Sequence, residues 1–178
     1  MLEAIKNRRS IRFFKDDYVS DETIREVLEA GFCAPSAHAR AAWHAVVIRD
    51  QEAKNTLSTI HPWAKRIAKV PVVLAVCVER SGFDHFWIED GSAFLENVMI
   101  QASSMGLGTC WYGVQGLEQK DMDAENIVRR VCNLPENFGV VALCSLGYPA
   151  RHPGAHEPSI PEGRVHFESF ENPMADEA

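Results

Sequence analysis

The sequence predicts one domain in which helices flank a β-sheet, and three observations predict it. Two near-continuous apolar runs, 71–78 and 140–146, read as strands buried on both faces. One long stretch, 88–105, carries Ala93, Phe94, Val98, Met99 and Ala102 at helical spacing, which makes it a central helix. No internal repeat and no linker divides the 178 residues, so a single domain over 1–178 is expected.

The elements follow in order. Leu2 to Arg8 reads as a short helix with Leu2 and Ile5 on one face. Ser20 is the N-cap of a second helix, with Asp21 and Glu22 in the dipole-favoured first turn. Its apolar stripe is Ile24, Val27, Leu28 and Phe32, and Pro35 stops it. The run 34–38 is a loop, 43–48 a strand and 51–60 a helix. Pro62 opens a short helix, and Gly106 and Gly108 end the long one. A short strand is predicted over 109–112 and a further helix over 122–132. From Pro149 onward proline, glycine and histidine dominate and apolar periodicity disappears. Residues 149–178 therefore read as an extended tail, of the kind that depends on a partner subunit for ordering.

Composition narrows the function. The hydrophobic share of 46% and the charged share of 24% are those of a globular protein. The net charge of −7 argues against nonspecific nucleic-acid binding, which needs many phosphate contacts. No apolar run reaches membrane-span length, and residues 1–15 hold no signal-peptide core, so no membrane partner and a cytoplasmic location are expected. The five cysteines are widely spaced, odd in number and without a Cys-x-x-Cys pair, the pattern of reduced thiols rather than a disulfide framework.

Against that acidic background, Arg8-Arg9-Ser10-Ile11-Arg12 is a local knot of positive charge. Guanidinium forks and a hydroxyl match the oxygens of a small anion, most simply a phosphate. A solvated basic surface at a helix end would look the same. Gly106-Leu107-Gly108 is only a fragment of a dinucleotide fingerprint: position 111 is Trp111, and the motif follows a helix instead of a strand. The seven histidines show no ligand spacing, so no metal is expected. Ser36 and Cys110 lack a nucleophile's context. A carboxylate at Asp90 or Glu96 reads as a cap or a solvated residue before it reads as a general acid.

Four segments, in order, resemble the nitroreductase family of flavin enzymes: Arg8 to Phe13; Ala34-Pro35-Ser36-Ala37 with Trp43-His44; Gly106 to Trp111 after the long helix; and Leu146-Gly147-Tyr148-Pro149 with a late Arg164. The resemblance runs to about Phe167. It implies an α+β fold with a mainly antiparallel central sheet between helices, in an intertwined homodimer with FMN at the subunit interface. It implies that Arg8, Arg9 and Ser10 hold the FMN phosphate and ribityl chain, and that Arg164 closes on the phosphate. It places Arg12 near the pyrimidine edge, where a fixed cation stabilises the charge of the reduced ring. Pro35, Ser36 and Ala37 match a loop that packs on the ring from the other subunit. Gly113 and Val114 match backbone that approaches N5, and Lys65 matches a basic residue near the ring.

The departures are in the loop and the tail. Where the family has Asn and then Gln-Pro, this chain has Ala39, Ala41 and Ala42. His38 is the residue that would compensate. Glu162 stands where a second late cation is common. The implied activity is NAD(P)H-driven ping-pong reduction of a small acceptor, such as a nitroaromatic or a quinone. No residue of the protein is expected to be catalytic in its own right, because the flavin carries the chemistry. Two alternatives stay open: a flavin- or ligand-binding protein without turnover, and a reductive dehalogenase-like flavin enzyme.

Overall fold

In the computed structural model of the chain, which describes residues 1–80, 85–116, 118–119 and 122–174, strand β2 (Val72–Glu79) lies inside a four-stranded antiparallel sheet. Its neighbours are β1 (Trp43–Ile48) and β6 (Phe138–Gly147), and β3 (Gly108–Gly113) closes the far edge. The order is β1-β2-β6-β3, and every pairing is antiparallel. The α+β expectation therefore holds.

The apolar runs explain the layering. Side chains of a strand alternate between faces. Val72, Leu74, Val76 and Val78 enter one core, and Val73, Ala75 and Cys77 enter another. Both faces of β2 are thus covered, as its uninterrupted apolar sequence requires.

The first core is roofed by α2 (Asp21–Phe32) and α4 (Trp87–Ser104). Ser20 caps α2, its Oγ accepting a 3.0 Å bond from the Thr23 N–H. The two helices approach closely because Gly31 has no side chain: a Cβ there would lie 2.7 Å from Phe94 and Val98. The second core is covered by α3 (Gln51–Leu57), a 3₁₀ segment (Pro62–Lys69) and α5 (Ala124–Cys132).

The remaining elements are short. Helix α1 (Glu3–Asn7) opens the chain. A ribbon, β4 (Glu118–Gln119) with β5 (Met122–Asp123), precedes α5. Two helix boundaries are corrected. The helix predicted over 51–60 ends at Leu57. The helix predicted from Met122 starts at Ala124, because Met122 and Asp123 pair with β4. Gly106 ends the α4 region with φ +74, a conformation that favours glycine. Among the described residues no helix is long and apolar enough to cross a membrane.

The tail begins on its own chain. Ala150 donates to the Phe13 carbonyl at 2.9 Å, and His156 donates to the Lys6 carbonyl at 2.8 Å. Beyond His156 the chain stays at the surface, with Ile160, Phe167 and Phe170 exposed. Residues 175–178 of the predicted tail lie outside the described residues.

Candidate functional site

The basic knot is built by a change of backbone at the end of α1. Arg8 is the C-cap, and its N–H bonds the Ala4 carbonyl at 2.9 Å. The next residues run alongside β3: Ser10 bridges Thr109, and the Ile11 N–H donates to the Thr109 carbonyl at 2.7 Å. Ile11 is the anchor, 2% exposed and seated over Gly108. Alternation along this stretch leaves Ser10 and Arg12 exposed on either side of it.

Those residues line a cavity of about 410 Å³, together with Arg8, Arg9, Phe13, Arg151, Pro153 and His156. None of its lining residues is acidic. Glu96 of α4 is outside the lining and pairs with Arg8, its Oε1 3.6 Å from Arg8 Nε. Its side chain is half exposed, so this pair orients Arg8 more than it stabilises the fold.

A second cavity, of about 370 Å³, shares Arg12 in its lining. Its other walls are Pro62, Trp63, Lys65, Arg66 and Tyr112. The Arg66 guanidinium lies 4.3 Å from the centroid of the Phe13 ring, a cation–π contact between the two linings. The field of Arg12 also reaches Cys110, whose thiol is pushed up by burial and partly drawn back by that guanidinium. The first cavity suits an anionic group, and the second offers aromatic walls among three cations, Arg12, Lys65 and Arg66.

His61 packs against two residues of the second cavity's lining. It is buried at the start of the 3₁₀ segment, with its ring 6.4 Å from Tyr112 and 5.7 Å from Trp63. Burial holds its imidazole below the ordinary value of 6.5, and a bond to the Gly113 backbone opposes this only in part. His61 thus packs between the segment bearing Lys65 and the Tyr112 end of β3. Gly113 ends that strand opposite Ala142, and Val114 follows it into the core at 3% exposure.

The loop holding Pro35, Ser36, Ala37 and His38 stands apart and lines neither cavity of its own chain. Asp90 of α4 holds it, accepting a 2.8 Å bond from the Ala37 N–H. Ser36 Oγ accepts from the Ala41 N–H at 2.9 Å. His38, Ala39 and Ala41 have φ of 53, 52 and 49, left-handed conformations that cost most side chains about 1–2 kcal/mol each. Arg164 sits in a turn of the tail, its N–H bonded to the Pro161 carbonyl at 3.2 Å, and it too lines neither cavity.

The structure thus brings together Arg8, Arg9, Ser10 and Arg12, and adds Lys65 through Arg12. It keeps the Pro35–His38 loop and Arg164 apart from them. Sequence reasoning missed Arg151, His156, Trp63, Arg66 and His61. For the tail residues no sequence signal existed, since Arg151 and His156 stand in an aperiodic stretch. Trp63, Lys65 and Arg66, clustered just after Pro62, were a weak signal. Among the described residues no group of three or more His, Cys, Asp or Glu side chains is placed to hold a metal ion.

The chain is similar in sequence and fold to known proteins. A sequence profile described as the nitroreductase family matches residues 5–79 and 61–148. A protein of Methanothermobacter thermautotrophicus, provisionally designated an NADH dehydrogenase/NAD(P)H nitroreductase, is 37% identical over 172 residues, 96% of this chain and 87% of the relative. The structure of an FMN-dependent nitroreductase from Clostridium difficile is similar with a TM-score of 0.89 and 29% identity, over 96% of this chain and 100% of the other. That of the NADPH:FMN oxidoreductase of Vibrio harveyi, solved with NAD⁺, is similar with a TM-score of 0.79 and 25% identity, over 94% and 76%.

Proposed function

This chain belongs to the nitroreductase family, and on that footing we propose that it is an FMN-dependent oxidoreductase, reduced by NAD(P)H and re-oxidised by a small acceptor such as a nitroaromatic or a quinone. The observation that carries this reading is that two cavities of complementary lining share Arg12. FMN joins a phosphate dianion to a planar ring. The first cavity offers guanidiniums and the Ser10 hydroxyl, with no carboxylate in its lining. The second offers Trp63, Pro62 and Tyr112 as walls, with Arg12 and Lys65 as cations. This donor set fits the group at both ends.

When bound, FMN supplies two-electron transfer between the nicotinamide donor and the acceptor. The residues of the chain bind, orient and polarise. Arg8, Arg9 and Ser10 would hold the phosphate end. Arg12 would place a fixed positive charge beside the pyrimidine edge, where reduction concentrates negative charge. Lys65 would add a second cation on the same side, and Gly113 and Val114 would present backbone to the ring.

We propose a homodimer as the working form. Two observations support it: the loop Pro35–His38 lines neither cavity of its own chain, and the tail beyond His156 exposes Ile160, Phe167 and Phe170. The loop and the tail, including Arg164, would then complete the site of the second subunit.

The test is a visible spectrum of freshly purified protein, before and after addition of FMN and desalting, followed by NAD(P)H oxidation with a nitroaromatic or a quinone. Retained flavin bands and acceptor-dependent oxidation are the expected result. Retained flavin without turnover would instead favour a binding protein. Absence of flavin from both samples would overturn the proposal.

A further inference from the structure

The second cavity carries more positive charge than the flavin reading uses. Three of its six lining residues, Arg12, Lys65 and Arg66, are cations, and none is acidic. The chain as a whole has a net charge of −7, so the excess is local. Arg12 and Lys65 are assigned above to the pyrimidine side of the ring. Arg66 has no assignment.

The backbone explains how Arg66 is presented. A 3₁₀ helix has three residues per turn, so positions i and i+3 lie one above the other. His61, Ala64, Ile67 and Val70 are buried at that spacing, which fixes the rotation of the segment Pro62–Lys69. Trp63 and Arg66 share a different face, and both line the cavity. Trp63 is 72% exposed, a flat ring open to a flat partner. The Arg66 guanidinium lies 4.3 Å from the centroid of the Phe13 ring. That contact positions the charge without neutralising it, because the ring carries no net charge. The two ion pairs among the described residues, Arg8–Glu96 and Arg49–Asp21, leave Arg66 out. Like charges gathered in one lining repel one another, and an anionic ligand relieves that repulsion.

We infer that the site selects acceptors that are flat, aromatic and anionic, with Arg66 as the specificity residue that recognises the charge and Trp63 as the surface on which the acceptor stacks. The inference rests on the flavin reading above and names the substrate class for it. With a nitrobenzoate, one hydride equivalent from NAD(P)H and one proton from solvent convert the nitro group to nitroso. One N–O bond breaks, its oxygen leaves as water, and NAD(P)⁺ is the oxidised product. The carboxylate is unchanged and serves as the handle.

The experiment compares 4-nitrobenzoate with 4-nitrobenzamide, a neutral acceptor of nearly the same shape. The amide withdraws electrons more strongly, so intrinsic reactivity favours the neutral compound, and a preference for the carboxylate comes from the protein. FMN-loaded full-length protein is assayed at saturating NAD(P)H as the wild type, Arg66→Gln and Arg66→Lys. Thermal melts and flavin absorbance check that each variant is folded and loaded. The wild type is expected to show kcat/KM roughly tenfold higher for the carboxylate, the scale of a hydrogen bond to a charged group. Arg66→Gln should bring that ratio to about one, chiefly by raising KM for 4-nitrobenzoate. Arg66→Lys should keep part of the preference, since it keeps the charge and loses the fork. Raising salt from about 0.02 M to about 0.5 M should shrink the wild-type ratio severalfold, a test that needs no variant.

A wild-type ratio of one or less, or a ratio that salt does not change, would overturn the inference. Equal losses for both acceptors in Arg66→Gln would overturn it too. An unchanged ratio with a raised KM for NAD(P)H would do the same, and would assign Arg66 to the donor. A wild type that oxidises NAD(P)H with neither acceptor would overturn the oxidoreductase reading itself, a different failure that the same assay separates from the others.

Discussion

A Cβ added to Gly108 would lie 2.7 Å from Cγ1 of Ile11, so the bare backbone of β3 is the surface on which the basic knot is seated. The contact links a strand edge to the exposure of two polar side chains. Ile11 is buried, and Ser10 and Arg12 beside it are exposed and line the cavity.

Gly108→Ala is therefore expected to act twice. Overpacking against Ile11 should destabilise the protein by about 1–3 kcal/mol. The displaced segment should also release flavin more readily. Urea midpoints and the flavin content of purified protein check the two effects, and loss of stability with full flavin retention would separate the packing from the site.

Arg12→Ala tests the cation shared by the two cavities. The rate of flavin reduction by NAD(P)H should fall by roughly a hundredfold, the scale of removing one preorganised charge-stabilising donor. Flavin content should fall much less. Stopped-flow reduction at full occupancy measures the first and absorbance the second; parallel losses would speak against an electrostatic role.

Ala39→Asn restores a side chain that tolerates the left-handed backbone found at Ala39, with φ 52. The variant should be more stable by about 0.5–1 kcal/mol, part of the left-handed penalty paid by alanine. A thermal melt checks this. An unchanged or lower midpoint would mean that the neighbouring bonds, Ala37 N–H to Asp90 and Ala41 N–H to Ser36, already set the loop without strain.

His61 gives stability a pH dependence of known sign. Its folded pKa lies below the ordinary 6.5 because burial disfavours the cation. As pH falls through 6.5 the unfolded chain takes up a proton that the folded chain resists, so stability drops until the folded pKa is passed. His61→Gln should remove that part of the slope. Urea midpoints between about pH 5 and 8 measure it, and identical slopes in both proteins would exclude His61 as the source.

Thiol reactivity should sort the cysteines by burial. Cys33 is exposed, whereas desolvation pushes Cys77 up to about 12 and Cys132 up to about 11, and raises Cys110 and Cys144 as well. With a disulfide reagent at about pH 8, Cys33 should react promptly and the others only on denaturation, because the thiolate is the reactive form. Prompt reaction of Cys77 or Cys144 would show that the core around β2 and β6 opens under native conditions.

Much of the fold was legible because it rests on periodicity. The uninterrupted apolar runs of β2 and β6 announced strands covered on both faces, and Ser20 and Gly106 marked helix ends by capping chemistry. The misplaced ends of α3 and α5 lay where local propensity competes with other bonding, as at Met122 and Asp123, which a two-stranded ribbon takes from the helix. The arginines of the knot were legible as a charge anomaly, since three of them in five positions stand out on an acidic chain.

By itself the sequence determined what is local: the main strands and helices and an anion-seeking knot at the end of α1. It also carried the ordered segments that mark the family. Only the tertiary structure decided what is nonlocal. It turned the aperiodic stretch 150–156 into a strap beside the knot, gave Arg9 carbonyl partners 145 and 146 residues away, and set buried His61 against the backbone of Gly113. The physical reason is that these contacts are hydrogen bonds to backbone carbonyls. Every residue presents a carbonyl, so no side-chain pattern marks the partner before the chain has folded.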